Sequence, residues 1–334
     1  MRPNFRSLTM ILLIGAFVLA GCAAPAVSAP APNKVSVQLG WIYEFSTAEF
    51  YAAEKNGRFA AQNLSVNLRQ GGFVDGKYVD GISDILAGQA DFGITSDQVL
   101  LQARADGKPL VAVAALLQRN PMAIISLPKS NIRKPQDLVG HTVAVADGGA
   151  RLLYNALLNA EQIDPAKVNT VARKTYGIDT LLNGQVDAIL GWIINEGVQV
   201  KQAGYEPNFV LLSDYGIETY QNVLVTTEKM VNEQPDVVQR VVNAIVQGSQ
   251  DIISNPNQAV DYVVAYGKDL KKDDQSVHLA AMLPLLNPSG TKLGMMDDQT
   301  WQATYQILVD QKALAKPIDV SKAYTLTFLK QIYK

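Results

Sequence analysis

The chain has 334 residues, 48% of them apolar and 18% charged, with a formal net charge of −2. That balance excludes a nucleic-acid binder, which needs a basic stripe. It also excludes a protein held on anionic lipid by a polybasic patch. One cysteine and two histidines, His141 and His278, leave almost no material for a His-based metal site or a catalytic triad.

The first 22 residues read as an address. Arg2 and Arg6 give a positive start, Ile11 to Ala20 is a short apolar run, and Leu19-Ala20-Gly21-Cys22 reads as a lipobox. The run is too short for a permanent membrane span, so a cleaved export signal over 1–21 is expected, with Cys22 acylated as the new N-terminus. The competing reading is an ordinary secretory signal with an incidental cysteine. Residues 22–33 are mostly small residues and prolines, which cannot bury enough surface to fold, so they are expected to be a tether. Loss of Arg2 and Arg6 makes the mature charge about −4. Without Cys22 the body has no thiol for a disulfide. About 300 residues remain, enough for two lobes.

The spacing predicts strands over 34–39 and 64–68, with a helix over 47–62 between them. A helix over 78–87, a strand over 90–94, a helix over 97–105 and a buried strand over 110–116 follow. A second cycle places strands over 142–145, 168–172, 186–190 and 209–212, with helices over 150–161 and 178–183. A strand over 223–225 and a mostly helical tail complete the chain. Pro235, Pro256, Pro284 and Pro288 punctuate that tail. Alternating strands and helices imply an α/β fold with parallel or mixed sheets covered on both faces. Lobe 1 is expected to be discontinuous, over 34–126 and 220–334, with lobe 2 over 127–219.

Ligands of open α/β sheets sit beyond the C-terminal strand ends, so those loops are the candidates. The first, 40–47, carries Trp41, Tyr43 and Phe45 around Glu44. Aromatic faces stack on flat rings, and Glu44 can accept hydrogen bonds; alternatively Trp41 and Phe45 pin the loop to the core. Gly71-Gly72 lets the backbone approach a ligand beside Phe73, or makes a plain turn. Ser96 and Asp97 either cap a helix or meet the ligand. Gln118 and Asn120 offer donors and acceptors to a neutral polar molecule.

In the second cycle, Gly148 opens a helix whose N–H groups point at the cleft. Neither a Walker motif nor a dinucleotide fingerprint is present. Tyr176, Trp192 with Glu196, and Tyr215 follow later strands, Trp192 just beyond its strand, where cleft competes with core. No nucleophile–base pair or Gly-x-Ser-x-Gly occurs, so no enzyme is expected.

Gly71-Gly72, the run from Asp80 through Gln89-Ala90-Asp91-Phe92-Gly93-Ile94-Thr95-Ser96, Leu39-Gly40-Trp41, residues 135–145 and Asp187-Ala188-Ile189-Leu190-Gly191-Trp192 resemble the substrate-binding proteins of ABC importers. The branch is the one shared by thiamine-pyrimidine, alkanesulfonate and nitrate binders. The resemblance implies a two-lobed periplasmic-binding-protein fold (type II) closing on a small molecule, a membrane permease as partner, and a monomer lipid-anchored outside the cytoplasmic membrane. Anion binders need cationic partners, for which Arg119 and Arg151 are the candidates. Pyrimidine binders and their enzyme relatives carry Trp-Thr-Pro-Asn-Thr-Asn-His after the first strand. Here Trp41 is kept but residues 42–47 depart and the histidine is lost, which counts against pyrimidine-synthase activity. The riboflavin-binding branch fits the aromatic count, so riboflavin is expected as transported ligand, with a thiamine pyrimidine precursor as alternative. No resident cofactor is expected.

Overall fold

The computed structural model describes residues 31–74, 77–175 and 177–334. Cys22, Tyr176 and the side chain of Phe73 lie outside what is described. The strands are β1 (Asn33–Gln38), β2 (Leu64–Arg69), β3 (Gly72–Val74), β4 (Lys77–Val79), β5 (Phe92–Thr95), β6 (Leu110–Leu117), β7 (Met122–Ser126), β8 (Thr142–Val145), β9 (Asn169–Ala172), β10 (Ala188–Trp192), β11 (Asn208–Leu211) and β12 (Gln221–Thr227).

Two five-stranded mixed sheets form the two lobes. The first has the order β2-β1-β5-β12-β6, with β1 parallel to β2 and β5, and β12 antiparallel to β5 and β6. The second has the order β11-β7-β10-β8-β9, with β8 parallel to β9 and β10. Its two faces follow the period of two. Ile124, Val143 and Leu190 enter one apolar cluster, while Ile125, Ala144 and Ile189 enter the other.

The helical tail belongs with the first sheet. The helices Pro235–Ser254 and Pro256–Tyr266 each begin on a proline, whose missing N–H is one of the helix-start orphans anyway. Val238, Ile245, Val263 and Leu329 from the tail join Val37, Phe92 and Leu117 in one core. The helix Ala48–Lys55 packs on Pro235–Ser254 at Gly248, where an added Cβ would stand 2.2 Å from the Glu49 carbonyl oxygen. Gly248→Ala is therefore expected to lower stability by about 1–3 kcal/mol, the usual cost of overpacking, as read by denaturant unfolding.

Several expectations are corrected. The helix over 47–62 is two helices, Ala48–Lys55 and Arg58–Ala61, separated at Asn56-Gly57. Of 78–87 only Ser83–Leu86 is helical, because Asp80 accepts from the Ile82 and Ser83 N–H groups in a local turn that delays the start. Tyr78 instead lies on β4, which makes a hairpin with β3 where a loop over 70–73 was expected. β7 has all five residues buried, so it shows no alternation. It pairs with β10, so the chain crosses to the second sheet at 118–121 and not after 126.

Two segments cross between the sheets, 118–121 and 212–220, and they are tied together. Asn120 Nδ2 donates to Thr219 Oγ1 at 2.7 Å, both residues being buried. Arg119 donates to Ser213 Oγ at 2.8 Å and pairs with Asp214.

Candidate functional site

Residues just beyond the C-terminal ends of β5 and β8 meet across the space between the sheets. After β5, Gln98 lies in the first turn of the helix Asp97–Ala105; after β8, Gly149 opens the helix Gly149–Ala160. A Cβ on Gly149 would stand 2.7 Å from Gln98 Oε1, so the two helix starts touch. On another side, His278 Nδ1 donates to the Ile194 carbonyl at 2.5 Å, and Gln202 donates to Asp274 at 3.0 Å. Trp192 packs on the core of the first lobe and on a core of the second. A half-buried tryptophan that touches both lobes marks the crevice.

Trp192 is corrected in one respect: it ends β10, opposite Met122 on β7, and does not follow the strand. Its N–H donates to Glu196 Oε2 at 2.9 Å. Glu196 Oε1 receives Arg173 Nη2 at 2.7 Å, and the two side chains are only 10% and 5% exposed. Arg173 also donates to the carbonyls of Leu190 (2.8 Å) and Gly177 (2.9 Å). These bonds offset part of the desolvation that a buried ion pair costs. Arg173 is absent from the sequence-based candidates, although it directly follows β9 and the strand-end rule reaches it.

At the end of β1, Trp41 is half-buried, and its ring lies 6.4 Å from that of Tyr78, tilted by 54°. Tyr43 is held within its lobe. Its hydroxyl donates to the Leu68 carbonyl at 2.8 Å, and its ring meets Tyr51 and Tyr266 edge-on. Phe45 is buried and stacks on His278 at 5.0 Å, which pins the loop. Glu44 is half-buried; desolvation, with Asp274 adding to it, pushes its carboxyl up to about 7 against a hydrogen bond from Ser46.

Other candidates spend their polar groups inside the protein. Ser96 caps the helix Asp97–Ala105 by accepting from Val99 N–H at 3.3 Å. Asp97 is fully buried and accepts from Gln98, Tyr220 and Thr304. Gln118 donates to the carbonyls of Lys292 and Met295 and accepts from Thr291. Asn120 is the tie between the crossings. Gly148 holds a positive φ of 79° ahead of the helix it opens. Tyr215 is half-buried against the second lobe's core, and burial raises its hydroxyl pKa.

Among the described residues no group of three His, Cys, Asp or Glu could hold a metal ion. No described helix is long and apolar enough to cross a membrane.

The family model described as NMT1/THI5 like matches residues 44–259. The riboflavin-binding protein RibY of Chloroflexus aurantiacus is 26% identical, with 98% of each chain covered. The formylaminopyrimidine-binding protein of Halalkalibacterium halodurans is 24% identical over 96% of this chain and 98% of that one. The solved periplasmic aliphatic sulphonate binding protein SsuA of Escherichia coli superposes with a TM-score of 0.68 at 14% identity, covering 88% of this chain and 92% of that one. The match over most of the chain, on a fold of two mixed sheets joined by two crossings, makes this protein a member of the NMT1/THI5-like family.

Proposed function

We propose that the protein is an extracytoplasmic solute-binding lipoprotein that captures riboflavin between its lobes and delivers it to the permease of an ABC importer. The observation that carries this reading is Trp192: an aromatic face in contact with both lobes, beside a buried acid–base pair. Trp41, paired with Tyr78, supplies a second aromatic surface at the end of β1. A flat ring stacks on such faces, and polar substituents find the strand-end groups. The similarity to a riboflavin-binding protein over almost the whole chain supports the choice.

Residues 1–21 act as the signal, Cys22 carries the lipid, and the chain up to residue 32 is the leash, since Asn33 already pairs with Leu64 of β2; the mature chain works as a monomer on the outer face of the cell membrane. The crossings at 118–121 and 212–220 serve as the hinge. The site is one for binding and not for turnover.

Titration of riboflavin fluorescence is expected to show quenching that saturates at one flavin per chain. Trp41→Ala with Trp192→Ala should weaken binding by about 100-fold, since each stacking face contributes on the order of 1–3 kcal/mol. Unchanged affinity in that double variant would remove both residues from the site. A second reading, a thiamine pyrimidine precursor as ligand, is favoured by the formylaminopyrimidine-binding relative. Calorimetry with both compounds separates the two.

A further inference from the structure

We infer that Arg173 is a ligand-binding residue: with Glu196 it reads the edge of a flat ring on which a hydrogen-bond acceptor stands next to an N–H. The inference rests on the reading of the crevice as a heterocycle site and adds to it the ring edge that is recognised. Arg173 spends Nη1 on Leu190 and Nη2 on Gly177 and Glu196, which fixes the guanidinium in one orientation. Its Nε is buried and has no hydrogen-bond partner. A buried donor left empty is costly, and one on a fixed cation is a place prepared for an acceptor. Each Glu196 oxygen receives one hydrogen bond, from Arg173 and from the Trp192 N–H, so the carboxylate still has lone pairs for an incoming N–H.

Gly191 makes the arrangement possible. A Cβ there would stand 3.0 Å from Glu196 Oε2 and 3.3 Å from Arg173 Nη1. The pair is neutral overall, so it favours neither an anion nor a cation. It offers one donor and one acceptor side by side next to the Trp192 backbone. The matching edge is a cyclic imide or lactam, in which a ring N–H adjoins a carbonyl. The carbonyl accepts from Arg173 Nε, and the N–H donates to Glu196.

The test uses the intact chain and fluorescence titration. Lumiflavin is expected to bind at least 10-fold tighter than 3-methyllumiflavin, in which the only ring N–H is blocked. A thiocarbonyl analogue, a poorer acceptor, should also bind more weakly. Arg173→Lys keeps the charge but lacks Nε; it should lose 10-fold or more in lumiflavin affinity and bring the two flavins to similar affinities. Equal binding of both by the native chain overturns the inference, as does an Arg173→Lys chain that melts normally and binds like wild type. If the lysine variant does not fold, the analogues on the native chain decide. The functional reading fails separately. If only an aminopyrimidine binds and Arg173→Lys weakens it, riboflavin falls and the edge-reading pair stands, because ring nitrogen and amino group present the same acceptor and donor. If the lysine variant binds that aminopyrimidine as well as wild type does, or if no probe binds, the pair falls too.

Discussion

Asp97→Ala is expected to destabilise the protein by about 3–5 kcal/mol, the range for breaking a buried polar network. The residue is fully buried where three elements meet. Its Oδ1 accepts from Gln98 N–H at 2.7 Å, and its Oδ2 accepts from Tyr220 N–H at 2.6 Å and Thr304 Oγ1 at 2.8 Å. Alanine strands the buried Gln98 and Tyr220 N–H groups without their acceptor; Thr304 keeps its bond to the Thr300 carbonyl. Burial outweighs those hydrogen bonds and pushes the Asp97 carboxyl up to about 7. The folded state thus holds this proton more tightly than the unfolded chain does. The Asp97 contribution is largest below about 4 and falls as pH rises toward 7. Denaturant unfolding at pH 5 and pH 8 measures both effects. A variant that loses less than about 1 kcal/mol at either pH would show that the three donors find other partners.

Glu49→Met should act in the opposite sense and stabilise the chain by about 2–4 kcal/mol at pH 8, because burial without a partner penalises a carboxyl throughout that range. Glu49 is 1% exposed on the helix Ala48–Lys55, and neither of its carboxyl oxygens has a hydrogen-bond partner. Desolvation pushes its carboxyl up to about 8. Below about 4.5 the acid is neutral in both states and costs only its missing hydrogen bonds. As pH rises from there to 8, the unfolded chain ionises and the folded chain does not, so stability drains away over that window. Methionine has similar length and no polar atom, so the variant should flatten the stability–pH curve between pH 5 and 8. Thermal melts of both chains at the two pH values are the measurement. A parallel shift at both, with no change of slope, would show that Glu49 is solvated or paired in solution.

These two carboxyls illustrate what the sequence could and could not convey. Alternation marked β1 and β2, and the helix Asp97–Ala105 was legible to the residue because Ser96 caps it and Gly107 follows it. β7 was not legible, since a strand buried on both faces has no period, and the β3–β4 hairpin was hidden behind two glycines that read as a turn. At the strand ends the sequence supplies the type of each side chain but not who consumes its hydrogen bonds. Gln118, Asn120 and Asp97 looked ready for a ligand, yet each is spent on backbone or on a neighbouring hydroxyl. Arg173 drew no reading from the sequence, and its side chain is buried with an idle donor.

The strand order of the first sheet dictates a sequence of events during synthesis. β12 lies between β5 and β6, yet it is made more than a hundred residues after either. A nascent chain that stops short of Gln221 already holds every strand of the second sheet. The first sheet is at that moment split, with one edge of β5 and one of β6 left open for a partner not yet translated. The second lobe can acquire its pairing on the ribosome; the first must wait for residues 221–227 and then for the helices that follow. Such late closure leaves the first sheet in two pieces, β2-β1-β5 and β6, until β12 is made.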